Sequence, residues 1–235
     1  MRTRLKSGLV NVVSVLPNSP INPPADCNLC PRLVALRHDA QAKHPDWFNS
    51  PVDTWGDEQA KLMIVGMAPG MAGANRTGRP FTGDHAGDLL FQTLERAGMT
   101  KGSYDRRIDD GLELKGVIIA NVVRCVPPQN KPVAAEVNAC RVFLQATLAQ
   151  RKNVQTYFAL GRIAHDSFLA TLGLRKALYK FGHGARHDLG GGRVLFDSYH
   201  CSRYNTNTRR LTTEMFETAL FAAAKHAKIG RWAEA

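Results

Sequence analysis

Four short, unbroken apolar runs constrain this chain most: Leu62 to Gly66 (LMIVG), Val117 to Val122 (VIIANV), Thr156 to Leu160 (TYFAL) and Arg193 to Phe196 (RVLF). Runs of this length without polar alternation suit strands covered on both faces. Helical spacing fills the gaps. Ala86 to Ala97 sets Leu89, Leu90, Thr93, Leu94 and Ala97 on one side, and Ala134 to Leu148, Arg162 to Leu172 and Leu211 to Lys228 repeat in the same way. A further helix is expected over Pro31 to Lys43, because proline is tolerated in a first turn. Strands alternating with helices predict an α/β fold with a parallel sheet. GHGARHDLGGGR (182 to 193) reads as a flexible loop before the last strand, with turn glycines and no G-x-G-x-x-G dinucleotide fingerprint. One domain is expected over residues 1–235. Its first 24 residues form an irregular extension, interrupted by Pro17, Pro20, Pro23 and Pro24.

Composition narrows the function. Hydrophobic residues are 44% and charged residues 22%, a globular balance that argues against wholesale disorder, collagen or a coiled coil. No apolar run approaches a membrane span. Lys and Arg number 31 against 20 Asp and Glu, a formal net charge of +11. That excess points to a polyanionic partner, nucleic acid first and anionic membrane second, against the plainer reading of a basic protein with neither. The basic N-terminus has only a short, interrupted apolar stretch, so no secretory signal is read there and a reducing cytoplasm is expected.

In a parallel α/β sheet, ligands bind beyond the carboxyl ends of the strands. The segments to inspect are therefore GMAPG (66 to 70), NVVRC (121 to 125), GRIAH (161 to 165) and DSYHCSR (197 to 203). The cysteines form a second signal. Cys27 and Cys30 make C-x2-C, and Cys125 and Cys140 stand fourteen residues apart. Four thiolates close a structural zinc site or ligate a [4Fe–4S] cluster; the long second spacing favours iron–sulfur. The alternative is four unrelated buried thiols. Cys201 is the odd one out.

Motifs then converge. GMAPGMAGANRTGRPFTGD (66 to 84) resembles motif A of the uracil-DNA glycosylase superfamily in its iron–sulfur branches, families 4 and 5. SYHCSRYNTNTRRLT (198 to 212) resembles motif B with its S-x-H-x-S-R core. NVVRCVPPQNKP (121 to 132) resembles the segment that carries a cluster cysteine. Met67 stands where family 4 has Glu, so the likeness is greatest to family 5, the type B enzymes. Cys201 stands where motif B commonly has Pro. The resemblance covers roughly residues 25 to 220. It implies a three-layer α/β/α sandwich around a mainly parallel four-stranded sheet, and a structural [4Fe–4S] cluster on Cys27, Cys30, Cys125 and Cys140.

The implied activity is removal of uracil from DNA, extended to hypoxanthine and other deaminated bases, leaving an abasic site. A base inside a duplex is out of reach, so its nucleotide must flip out. Phe81 would stack on the flipped base and Asn121 would read its edge, since an Asn amide offers a donor and an acceptor. Gly66, Met67 and Ala68 would border the base through their backbone. His200 would donate to the base oxygen where negative charge develops. Asp84 would activate water or stabilise the sugar cation, unless it only caps a helix; Asn130 is a second candidate. Arg76, Arg79, Arg203 and Arg209, with Ser198 and Ser202, would meet phosphates, and Tyr204 or Arg203 would enter the duplex. A monomer is expected, because one active site suffices. Two other readings are a damaged-base or abasic-site binder without turnover and a zinc-bound nucleic-acid module.

Overall fold

A computed structural model describes residues 19–234. Most of the expected N-terminal extension, residues 1–18, lies outside the described residues. Strands run β1 Trp55–Gly56, β2 Leu62–Gly66, β3 Thr100–Lys101, β4 Glu113–Leu114, β5 Val117–Asn121, β6 Thr156–Leu160, β7 Arg186–Gly190 and β8 Arg193–Ser198. Helices are α1 Pro31–Lys43, α2 Ala74–Thr77, α3 His85–Arg96, α4 Ala134–Gln150, α5 Arg162–Thr171, α6 Arg203–Asn207 and α7 Thr213–Ala227.

The main sheet has the order β1-β5-β2-β6-β8-β7. Its centre, β5-β2-β6-β8, is parallel and is made of the four apolar runs. Short antiparallel strands close both edges, so the sheet has six strands rather than the four expected. β7 lies inside the segment read as a flexible loop. It escapes an apolar-run search because an edge strand is half solvated: only Leu189 on it is buried, and glycines 190–192 turn it into β8.

Alternate side chains of each central strand go to opposite faces. Leu62, Ile64, Ile119, Phe158 and Phe196 pack with α3 and α7, through Leu90, Leu94, Phe216 and Leu220. Met63, Val65, Ile118, Tyr157 and Leu195 pack with α1, α4 and α5, through Leu33, Leu144 and Phe168. The result is an α/β/α sandwich. Local chemistry sets the helix starts: Asp84 caps α3, Ser202 caps α6 and Thr212 caps α7, each accepting backbone N–H bonds. Val133 N–H donates to Glu136 at 2.9 Å where α4 begins. No helix of the described residues is long and apolar enough to cross a membrane.

Candidate active site

The four parallel strands end together at Gly66, Asn121, Leu160 and Ser198. A cavity of about 710 Å³ opens beyond them. One wall is the turn after β2 with the start of α3 (Met67, Ala68, Asp84, His85). The opposite wall is the start of α5 with Phe181 and Gly182, and the β8–α6 segment (Tyr199, His200, Ser202, Arg203) closes the third side. Phe81, Asn121 and Asn130 also face the cavity.

Phe81 and Asn121 share one corner because of Gly66 beneath them. Gly66 pairs in register with Asn121. A Cβ on Gly66 would stand 2.2 Å from Asn121 Oδ1 and 2.9 Å from Phe81 Cζ. Phe81 holds a left-handed backbone with φ 55°, a costly conformation for a bulky residue. Tyr104 secures it: its hydroxyl donates to the Phe81 carbonyl and accepts from the Gly83 N–H, both at 3.2 Å. Burial pushes the Tyr104 hydroxyl up to about 12, so it keeps its proton. Gly87 allows α3 to approach, since a Cβ there would meet the Phe81 oxygen at 1.8 Å. Asn121 is 3% exposed, and its Oδ1 has no hydrogen-bond partner among the described residues. Leaving a buried acceptor unmet costs roughly 1–3 kcal/mol, a cost that a ligand's donor removes. Gly66→Ala is expected to displace Phe81 and Asn121, destabilise the fold by about 1–3 kcal/mol and abolish base binding in the cavity. Thermal unfolding and ligand titration check this.

Asp84 caps a helix and keeps one carboxylate oxygen clear of that cap. Oδ1 accepts from the N–H groups of Ala86 (3.1 Å) and Gly87 (3.4 Å) as the cap of α3. Oδ2 faces Gly70 and Gly73, where added Cβ atoms would stand 2.9 and 2.4 Å away, and has no hydrogen-bond partner among the described residues. Across the cavity, burial holds the His200 imidazole below the ordinary histidine value, with the Asp84 carboxylate pulling the other way. A neutral imidazole still carries one N–H to donate. Its ring lies 6.2 Å from that of Phe81. Asn205 Nδ2 donates to the His200 carbonyl at 2.8 Å, and His85 Nε2 meets Thr206 Oγ1 at 2.9 Å, tying α3 to α6. Cys201 is fully buried in the apolar core, where burial pushes its thiol up; it packs as a small hydrophobe.

Arg203 lines the cavity and is exposed, and Arg76, Tyr204 and Arg209 are exposed too, Tyr204 by 71%. Two expected phosphate contacts do not survive. Arg79 is 3% exposed and donates to both Asp110 oxygens (2.8 and 2.6 Å), to Thr82 Oγ1 and to the Arg107 carbonyl. Its guanidinium lies 5.1 Å from the Trp55 ring centre. Against the upward push of burial, Arg79 and two backbone N–H groups bring Asp110 down to about 2. Arg79→Gln is therefore expected to destabilise the fold by about 3–5 kcal/mol, since it strands a buried carboxylate. It should leave the salt dependence of DNA binding unchanged. Ser198 is likewise buried, its hydroxyl donating to the Tyr199 carbonyl at 2.8 Å.

Sequence reasoning missed Arg162 over Phe181 at 5.2 Å and Arg210 over Tyr199 at 4.6 Å. Arg162 lies in GRIAH, one of the strand-end segments, so its place was open to view. Tyr104 gave no local signal, because its partners are 21 and 23 residues away.

A second site lies under α1. Cys27, Cys30, Cys125 and Cys140 line one small cavity with Pro23, Leu29, Leu33, Val34, Val123 and Phe143. All four are free thiols. Arg37 Nη1 donates to Cys125 Sγ (3.6 Å) and the Arg124 N–H donates to Cys140 Sγ (3.4 Å). Burial pushes Cys125 up to about 11 and Cys140 to about 12, and lowers Arg124 to about 10. Arg124 Nε and Nη1 are buried without partners among the described residues. Neutral thiols leave that cation to the nearby Asp53 carboxylate, whereas thiolates on a metal centre would add compensating charge. The donor set therefore fits four-thiolate ligation.

The family model described as the uracil DNA glycosylase superfamily matches residues 54–224. The type-5 uracil-DNA glycosylase of Thermus thermophilus is 45% identical over 205 residues, 85% of this chain and 93% of that protein. That of Pyrobaculum aerophilum is 39% identical, covering 88% and 92%. The type-4 enzyme of the same organism matches less, 36% over 51% of this chain and 54% of its own length. With Phe81, Asn121, Asp84 and His200 gathered around one strand-end cavity, and with these likenesses along most of its length, the chain belongs to the uracil-DNA glycosylase superfamily, in its type-5 branch.

Proposed function

We propose that this chain is a monofunctional DNA glycosylase of base excision repair. It flips uracil out of DNA and hydrolyses the N-glycosidic bond, leaving an abasic site. The observation that carries the reading is the unpartnered, buried Asn121 Oδ1 beside the face of Phe81. Uracil N3–H supplies the missing donor while its ring lies on Phe81. As the bond to C1′ breaks, electrons flow onto the base, and the His200 N–H donates to the base oxygen that becomes negative. The sugar becomes cationic. Asp84 faces it with a carboxylate and takes a proton from the attacking water. Met67, also in the cavity wall, has no group for that task. The cavity is much larger than one pyrimidine ring, which supports hypoxanthine and other deaminated purines as further substrates. Arg76, Arg203 and Arg209 bind phosphates, and exposed Tyr204 fills the space that the base leaves.

The four cysteines hold a structural [4Fe–4S] cluster that ties α1 to α4 and to the end of β5. No three of their sulfurs lie within 4.8 Å of one another. Four sulfurs at about 2.3 Å from a single zinc would stand roughly 3.8 Å apart, so the wider spacing supports a polynuclear centre. The protein acts as a monomer, in a reducing cytoplasm where such thiols persist.

A labelled duplex with one uracil opposite guanine tests the activity under single turnover. Strand breakage that appears only after alkali is expected. Tight binding of that duplex without breakage would make the chain a damaged-base binder.

A further inference from the structure

Behind the cavity wall, three polar side chains are sealed together. Asp197 on β8 is fully buried. His165 Nδ1, on α5, lies 2.7 Å from its Oδ1, and His187 Nε2, on β7, lies 2.9 Å from its Oδ2. His165 Nε2 lies 2.8 Å from the Tyr179 carbonyl oxygen, and the His165 side chain is 0% exposed. These three residues could each turn an atom toward a metal ion. The ring nitrogens that would bind it already meet Asp197, so the triad closes on itself.

Both partners of His165 accept. A backbone carbonyl has no proton to give. Asp197 Oδ2 accepts from the Gly182 N–H at 3.4 Å and lies against His187 Nε2, so the carboxylate presents its other oxygen, Oδ1, as the acceptor for His165. Each contact of His165 then needs its own N–H, and an imidazole with two N–H groups is an imidazolium. We infer that His165 is a buried imidazolium that acts as a positioning residue, latching the 179–187 segment to the sheet so that Phe181 and Gly182 form a fixed wall of the base pocket.

The network joins all the parts that must stay in register. His165 follows Gly161, Arg162 and Ile163 on the cavity wall, and Asp197 precedes Tyr199 and His200 by two and three residues. Tyr179 and Gly182 bracket Phe181, whose ring packs edge-on against His165 at 5.6 Å. The charged and titratable groups facing His165 are Asp197 on β8, His187 on β7 and Asp166 beside it on α5. Burial alone would lower its affinity for the second proton. Asp197, the Tyr179 carbonyl and Asp166 outweigh burial and hold it above the ordinary histidine value. A raised value in the folded state means that the latch is fully set below the ordinary histidine range. It is lost as pH rises through the folded value. Loss of the second proton turns a lone pair toward an oxygen, and one of the two contacts fails.

The test is a pH titration of the ring nitrogens by two-dimensional ¹H–¹⁵N NMR of the whole protein. His165 is assigned by through-bond correlation of its ring with its own backbone resonances. Two protonated nitrogens at pH 7 and a transition on the alkaline side are expected, with faster exchange of the Gly182 amide above it. A neutral His165 ring at pH 7 would overturn the inference, whatever reaction the enzyme performs and whether or not H165Q folds. The role in positioning rests on the glycosylase reading. On a uracil duplex, H165Q should raise KM roughly tenfold, with kcat changed less than about twofold, since the lost contact fixes a wall and touches no reacting atom. The alkaline rise in KM expected of the native enzyme should vanish. An unchanged KM, or the same alkaline rise in H165Q, would contradict the positioning role.

Discussion

Asp84→Asn slows uracil excision by roughly 10²–10⁴-fold, the range for removing a general base, while leaving thermal stability nearly unchanged. The two effects separate because the carboxylate has two tasks. Oδ1 accepts from Ala86 and Gly87, and an Asn oxygen serves as well there, since Asn and Asp are equal helix caps. Oδ2 faces the cavity wall, and an amide in its place neither accepts water's proton nor opposes the charge on the sugar. Affinity for uracil DNA should survive, because Phe81, Asn121 and the arginine rim are untouched. If the variant retained near-native turnover, Asp84 would be a cap and nothing more. Kinetics under single turnover, with a melting curve on the same preparation, decide it.

Cys140→Ser has the second large effect, through folding. Cys140 sits on α4, nine-tenths or more buried, and receives the Arg124 N–H. Losing one of the four proposed ligands should release the proposed cluster. Arg124 is then left as a fully buried cation, with Nε and Nη1 unpaired among the described residues and its neighbouring thiols neutral. A desolvated, poorly compensated charge costs several kcal/mol, and α1 loses its tie to the sheet. The sum is comparable to the whole stability of a domain, about 5–15 kcal/mol, so the variant should be colourless and largely unfolded. Cys201→Ala is the control. It removes one buried sulfur on the opposite face of the sheet from Cys30 and Cys125 and should keep iron, the absorption at about 400 nm and most of the stability. A brown, cooperatively folded Cys140→Ser protein would break the ligand assignment.

The legible parts of the fold were those with strong local chemistry. The four central strands are buried on both faces and therefore spell unbroken apolar runs, and Pro31 opens α1 at the expected residue. β7 was hidden because an edge strand of arginine, histidine, aspartate and glycine has no apolar signature. At the site, motif A and motif B marked Phe81, Asp84 and His200, and the strand-end rule marked Asn121. The same motifs misled about Arg79 and Ser198. A motif says which residue types recur, whereas the direction of each side chain depends on distant partners: Asp110 lies 31 residues from Arg79. Tyr104, the support of Phe81, and the His165–Asp197–His187 network are likewise assembled only by tertiary contacts.

At the centre of the proposed mechanism, an extruded uracil sits in the strand-end cavity between Phe81, Asn121 and His200. A crystal structure of Asp84→Asn with a duplex containing one uracil tests it most directly. The predicted result is a flipped uracil stacked on Phe81, its N3 within hydrogen-bond distance of Asn121 Oδ1 and one carbonyl oxygen facing the His200 ring. A uracil still stacked in the duplex, or a flipped base lodged elsewhere with Asn121 Oδ1 unmet, would contradict it.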